Sequence, residues 1–267
     1  MDRLAGKTAL IVGATSGIGA ECARLFAAEG CQVVVAGRRV ELGEQVVKEI
    51  VDKGGQACYM SVDAQNEGEV EKVVAETVAR YGKLDIAVNT PGGAPFRFIV
   101  DTPGEEWREI MDLNLNSMFY CIKHQARQMK KNGGGSIINM SSYTAQAHSI
   151  TLSGYCTAKA ALNVLTKVAA MELGVDHIRV NAILPGYVLT ERVAARVQNE
   201  EINKDVLFRT PTRKLSTPLD VAYMTLFLAS DESANITAGE FLVDGGSVTR
   251  GYPEAPHVLL GLPRTIE

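Results

Sequence analysis

A chain of 267 residues, 46% hydrophobic and 22% charged with 25 glycines, has the size and composition of one folded domain that can bury a two-sided sheet, not of a disordered chain. Its formal charge of -4 and pI near 5.7 leave no basic face for a polyanion, so no nucleic-acid partner is expected. The opening MDRLAGK lacks a signal-peptide pattern, no run approaches membrane-spanning length, and the five cysteines include no C-x-x-C pair; the reading is a cytoplasmic protein with no membrane contact, disulfide framework or bound metal.

The first strand is expected at TALIVG (8–13), followed by the turn VGATSGIG. Gly13, Gly17 and Gly19 sit where a strand passes into a helix, with Thr15, Ser16 and Ile18 between them. Glycines there permit a tight turn, let backbone N–H groups approach a pyrophosphate and aim a helix N-terminus at it. The G-x-x-x-G-x-G spacing by itself is a weak signal, and its place at a strand–helix junction strengthens it. Ile18, Cys22, Leu25 and Phe26 then mark the buried face of the first helix, which stops at Gly30.

The second strand, QVVVAG (32–37), ends on Gly37, Arg38 and Arg39. An acidic residue at this place would bond the adenosine ribose and repel a 2′-phosphate, whereas guanidinium forks suit phosphate; NADP(H) is the cofactor expected. A third strand, QACYMSV (56–62), leads to Asp63, placed to cap the adenine side, and a fourth, LDIAVN (84–89), leads to Asn89 and NTPG. Asn114, in DLNLNS, lies inside a helical pattern that asparagine does not favour, as a residue that distorts the helix to anchor a water would.

The fifth strand, SIINMS (136–141), delivers Ser142 to the carboxyl edge of the sheet, where open α/β sheets bind ligands. Ser142 has no G-x-S-x-G elbow, so it is read as a hydroxyl that holds a substrate oxygen and not as a nucleophile. In GYCTAK, Tyr155 and Lys159 fall one helical turn apart on one face. Lowering a phenol pKa by about three units takes roughly 4 kcal/mol. An ammonium at ~4 Å, at an effective dielectric of about 20, supplies energy of that order, so Lys159 is expected to activate Tyr155 for proton transfer.

The sixth strand is IRVNAIL (178–184) and the seventh EFLVDG (240–245), with Thr217 and Pro218 capping a helix between them. Seven unbroken apolar strands alternating with amphipathic helices predict an α/β fold, a single doubly wound Rossmann-like domain with a seven-stranded parallel sheet and helices on both faces. That domain is assigned to residues 1–250. Residues 187–216, charged and carrying Pro211, are expected to form a mobile substrate flap, and 251–267 a C-terminal extension that either docks its apolar residues on a neighbour or is a loose terminus.

From Lys7 to Ser247 these motifs, in this order, resemble the short-chain dehydrogenase/reductase family. VGATSGIG is similar to its cofactor turn, NTPG to its Asn-Asn-Ala-Gly strand end, and VDGG to its last strand. The resemblance implies a catalytic tetrad of Asn114, Ser142, Tyr155 and Lys159. Tyr155 would be the general acid/base, Lys159 would also bind the nicotinamide ribose, Ser142 would position substrate, and Asn114 would support a relay water. It further implies cofactor contacts from Asn89, Gly92 and, in LPGYVLT, from Pro185, Gly186, Val188 and Thr190, and a homotetramer built on the helices that bear Asn114 and Tyr155. Val12, Thr90 and Pro91 depart from the family pattern, and a weaker cofactor turn is the expected cost.

The substrate is expected to be a small molecule in an apolar pocket lined by Phe96, Phe98, Ile150, Leu152 and Tyr187, with His148, Arg192 and Arg196 read as solvated. The leading reading is an NADPH-dependent ketone reductase, hydroxysteroid dehydrogenase-like because GGSVTRGYP resembles the tail of bacterial members. The alternatives are a 3-oxoacyl-carrier-protein reductase and, in another class, a non-catalytic nucleotide sensor on the same fold.

Overall fold

The structure is a computed structural model that describes residues 2–253 and 255–261; the 262–267 part of the C-terminal extension, with Pro263, lies outside the described residues. Seven parallel strands, β1 (Thr8–Val12), β2 (Gln32–Gly37), β3 (Gln56–Ser61), β4 (Ile86–Asn89), β5 (Gly135–Met140), β6 (Ile178–Pro185) and β7 (Glu240–Val243), lie in the order β3-β2-β1-β4-β5-β6-β7. The predicted α/β architecture is the one observed. Each strand sends alternate residues to opposite faces. Ala9, Ile11, Val33, Val35, Ile86 and Val88 enter one core, and Leu10, Val12, Val34, Ala36 and Ala87 enter the other.

One core is closed by α1 (Gly17–Ala28), α2 (Val40–Asp52) and α9 (Pro218–Ala229), the other by α3 (Glu67–Tyr81), α5 (Ser117–Lys131) and α6 (Ser153–Leu173). Local chemistry sets the ends of these helices. Asn66 accepts from the N–H groups of Gly68 and Glu69 at the start of α3, and Gly82, at φ 84°, ends it in the left-handed region that glycine adopts without penalty. Thr217 and Asp220 form a reciprocal capping box on α9, with Pro218 in the first turn, as the sequence indicates.

Chain order reverses across the sheet between β1 and β4, which opens a crevice at their carboxyl ends. Three further helices surround that edge: α4 (Gly104–Met111), α7 (Glu191–Val197) and α8 (Glu200–Arg209).

The region expected to be a charged flap is helical, and part of it packs on the body of the protein. Ile202 and Val206 of α8 are fully buried in a third apolar cluster with Tyr143, Ala147 and Tyr187. Tyr252 and Val258, the latter on α10 (Ala255–Leu260), pack on the same cluster, so these two residues of the tail contact their own chain.

Candidate active site

The turn after β1 is held by the N–H groups of Gly13 and Ala14, which both donate to the Ala36 carbonyl, at 2.8 and 3.0 Å. Gly13 and Gly17 have φ of 85° and 56°. A Cβ on Gly19 would lie 2.6 Å from the Gly13 carbonyl oxygen and 2.9 Å from Ala14 Cα, so helix and turn approach as closely as they do only because this residue has no side chain. Thr90 donates its hydroxyl to the Val12 carbonyl at 2.9 Å, which ties the strand end and offsets the departure at Val12.

This turn opens into a cavity of about 420 Å³. Gly13, Thr15, Ser16, Gly17, Ile18 and Gly19 line one side, Arg38, Arg39 and Asp63 the far end, and Gly92 and Thr190 the near end. The cavity, glycine turn and helix start fit a dinucleotide.

Four other predicted contacts lie off the lining of this cavity. Asn89 is fully buried, its amide spent on Gln125 and Asn139 at 3.0 Å each; this holds β4 to β5 and does not present a side chain to a ligand. Val188 turns its side chain into the core, and Gly186 lines the neighbouring substrate cavity, where a Cβ would collide with Asp244 at 2.7 Å. Pro185 ends β6 and lies outside the linings of both cavities.

At the adenine end a Cβ on Gly37 would lie 2.8 Å from Thr15 Cγ2, so a side chain there would displace Thr15. Arg39 donates to the Thr15 hydroxyl and to Ser16 Oγ, which anchors it across the turn. Arg38 reaches Asp63 only at 3.8 Å and keeps 62% of its side chain exposed, leaving the guanidinium available.

The catalytic candidates meet at the near end. Asn114 sits in a wide turn, Asp112–Asn116, where the backbone opens by one residue between α4 and α5. Its amide donates to the Ile110 carbonyl at 2.8 Å and clasps Gly93 in both directions: Gly93 N–H to Oδ1 at 2.9 Å, Nδ2 to Gly93 O at 2.8 Å. Asn114 thus distorts the helix as expected, and its polar atoms hold the strand-4 loop. Gly92 lets that loop pass, because a Cβ there would lie 3.0 Å from Asn114 Oδ1 and 3.1 Å from Lys159 Nζ.

Ser142 and Tyr155 line a second cavity of about 110 Å³. Ser142 Oγ accepts from the Thr144 hydroxyl at 2.9 Å and its hydroxyl bonds the Tyr155 phenol.

The Tyr155–Lys159 pair differs from expectation. Lys159 is buried and donates to the Met140 carbonyl at 2.9 Å and the Pro91 carbonyl at 3.4 Å; its Nζ stands 5.7 Å from the centre of the Tyr155 ring. Burial, helped by Arg192, holds its ammonium down to about 7. Burial likewise raises the Tyr155 phenol above its ordinary range, and the opposing influences are the Ser142 hydroxyl and the Arg192 guanidinium, not Lys159. Taking an ammonium out of water weakens its hold on the proton, which the solution argument did not count.

The substrate cavity also departs from the predicted lining. Phe96, Leu152 and Tyr187 line it, but Phe98 and Ile150 are exposed outside it, and His148 bonds the Thr144 carbonyl at 3.0 Å. Arg192, exposed as read, and Arg196, half-buried, both line it, as does Tyr252 from the tail. Tyr252 stacks on Tyr143 with centroids 5.5 Å apart and accepts from the Tyr187 hydroxyl at 3.1 Å. Burial drives all three phenols upward, so they stay neutral. The signal in sequence was an aromatic residue in an otherwise polar RGYP stretch; nothing local indicated where it would pack.

A family model described as "Enoyl-(Acyl carrier protein) reductase" matches residues 13–248. The 7alpha-hydroxysteroid dehydrogenase of Escherichia coli (strain K12) is 38% identical over 249 residues, 92% of this chain and 96% of that one. The NADP-dependent (R)-specific alcohol dehydrogenase of Lentilactobacillus kefiri is 36% identical over 250 residues, 92% of this chain and 98% of that one. A solved 7 alpha-hydroxysteroid dehydrogenase, complexed with NADH and 7-oxo glycochenodeoxycholic acid, superposes with a TM-score of 0.89 at 36% identity, over 95% of this chain and 97% of that one. With the matched motifs standing around one crevice on this sheet, the chain belongs to the short-chain dehydrogenase/reductase family, whose members act on alcohols and ketones with a nicotinamide cofactor.

Proposed function

We propose that this protein is an NADP(H)-dependent reductase of ketones, acting on a hydrophobic or ring ketone and on the corresponding secondary alcohol, and that it works as a homotetramer. The observation that carries the reading is the meeting of two cavities at the catalytic residues: Gly92, Met140 and Thr190 line the large one, Ser142 and Tyr155 the small one, and Arg192 both.

The residues lining the large cavity would hold a nicotinamide cofactor, which would supply or accept the hydride. The chain's own residues handle the oxygen. Ser142 and Tyr155 present hydroxyls to one substrate atom in the small cavity. The raised pKa keeps the Tyr155 phenol protonated at neutral pH, the state that gives a proton to a forming alkoxide, so reduction is the favoured direction near neutrality and oxidation gains as pH rises. Lys159, fixed by two carbonyls, and Asn114, fixed on Gly93, hold the floor of the site. Tyr143, Tyr187 and Tyr252 exclude water from its far wall.

The NADP(H) assignment rests on Gly37, which cannot be replaced by an acidic residue without meeting Thr15, and on the available Arg38 and anchored Arg39. Relatives of both kinds are known, one named as NADP-dependent and one solved with NADH, so this chain's own residues carry the choice. Phe119 on α5 and Val164, Val168 and Met171 on α6 are exposed apolar side chains on the two helices expected to join subunits, which supports the tetramer.

The test is a paired titration with NADPH and NADH by nicotinamide fluorescence, followed by turnover of a panel of ketones that includes oxo-steroids. Arg38→Asp should weaken NADPH by about tenfold or more while sparing NADH; equal loss for both would sink the cofactor assignment. Tyr155→Phe should cost about 10²–10⁴ in rate with binding retained, and an unchanged activity would return the protein to the sensor reading.

A further inference from the structure

We infer that the substrate carries an oxyanion, a carboxylate or a phosphate, and that Arg196 on α7 binds it within the substrate cavity; this rests on the reductase reading above. The argument starts from spacing. Arg192 and Arg196 are four residues apart on α7, hence neighbours on one face, and Val193 joins them in lining the small cavity. Like charges at this spacing repel, and elsewhere the chain avoids the problem by pairing: Lys48 with Asp52, Lys72 with Glu76, Lys204 with Glu200, Arg209 with Asp205. On α7 no such compensation exists. Among the described residues neither arginine forms an ion pair, and no carboxylate lines the cavity into which they turn.

Arg192 also lines the cofactor cavity, so its charge has a second possible use. Arg196 does not; it belongs to the substrate cavity alone. Its guanidinium lies over the Phe96 ring, 4.7 Å from the centroid, which orders the side chain and leaves the edge of the fork for bidentate contacts. Its other charge-sensitive neighbours, Tyr187 and Tyr252, are phenols that burial keeps neutral, so they cannot serve as its counterion. A half-buried guanidinium, beside the more exposed one of Arg192 on an open cavity of neutral groups, is completed by an anion from outside. Tyr155 lies in the same cavity, so the oxyanion and the reacting carbonyl belong to one compact molecule.

The test separates anion binding from turnover. Thermal shift with cyclohexanecarboxylate, cyclohexylphosphonate and the uncharged cyclohexanecarboxamide, none of them reducible, reads the anion site directly on the wild type, Arg196→Gln and Arg196→Lys. A saturable shift with the carboxylate or the phosphonate but not the amide, lost in Arg196→Gln and partly kept in Arg196→Lys, is the expected result; which of the two anions shifts more names the source. Turnover is then compared for 4-oxocyclohexanecarboxylate and its ethyl ester with NADPH. The acid should exceed the ester by about 10- to 100-fold in kcat/KM, mostly through KM, and Arg196→Gln should bring the ratio below about 2. Equal shifts for amide and anions, or an acid preference that survives Arg196→Gln, overturns the inference while leaving the reductase standing. An anion shift lost in Arg196→Gln with no ketone consumed supports the anion site and overturns the reductase reading.

Discussion

Replacing Lys159 by methionine should change how the stability of this protein depends on pH. Lys159 is 2% exposed, and burial holds its ammonium down to about 7 from the ordinary 10.5. The unfolded chain restores the ordinary value, so between the two the unfolded state binds more protons than the folded one. Unfolding free energy must therefore rise with pH through that window: the penalty is absent above the unfolded pKa and complete below the folded one. At about 1.4 kcal/mol per pKa unit, with the transition half complete at the lower end, the residue alone raises stability by about 2 kcal/mol between about pH 7 and about pH 9. Higher pH adds an opposite slope, because the thiols of Cys22, Cys31 and Cys121, pushed up to about 12, disfavour the folded state once unfolded thiols ionise. Methionine matches the length of the stem without the charge. Losing the bonds to the Met140 and Pro91 carbonyls offsets the whole curve without changing its slope. Urea unfolding of both proteins across this range, with the two curves subtracted, gives the difference. Parallel curves would refute the reasoning, for they would mean that Lys159 keeps its charge inside the fold.

Two further substitutions test how the site is supported. Gly19→Ala places a methyl 2.6 Å from a backbone oxygen that has no room to yield, so a loss of about 1–3 kcal/mol and much weaker NADPH binding are expected in melts and titrations; near-wild-type binding would show that the turn can open freely. Asp220→Ala removes half of the α9 capping box and should cost about 1 kcal/mol, or about 2–4 °C in Tm. The Thr217 backbone N–H holds the Asp220 carboxyl below its ordinary range, so the wild-type advantage is present at neutral pH and fades in acid as the carboxyl protonates; a difference that persists unchanged in acid would remove the carboxylate from the explanation.

Local patterns carried the fold. A run such as TALIV is apolar at every position because β1 is covered on both faces, and that is readable without knowing which helix covers which face. Strand ends shifted by a residue or two where turn chemistry intervened: the strand read as reaching Gly245 stops at Val243, because Asp244 turns back to accept from the N–H groups of Gly246 and Val248. Glycine positions in the cofactor turn were equally legible, since their reason is steric and local.

By itself, then, the sequence determined the sheet, the cofactor turn and the residue types at the catalytic edge, because apolar periodicity, caps and glycine requirements act over a few residues. Only the tertiary structure decided where long side chains and the tail end up. Lys159 turns to two carbonyls and burial lowers its affinity for the proton, Asn89 is taken by a neighbouring strand, Tyr252 folds back to wall the site, and Arg196 lies over Phe96 at the cavity. Each of these outcomes depends on groups distant in the chain that compete for the same space and the same hydrogen bonds, and that competition is resolved only when the whole chain has packed.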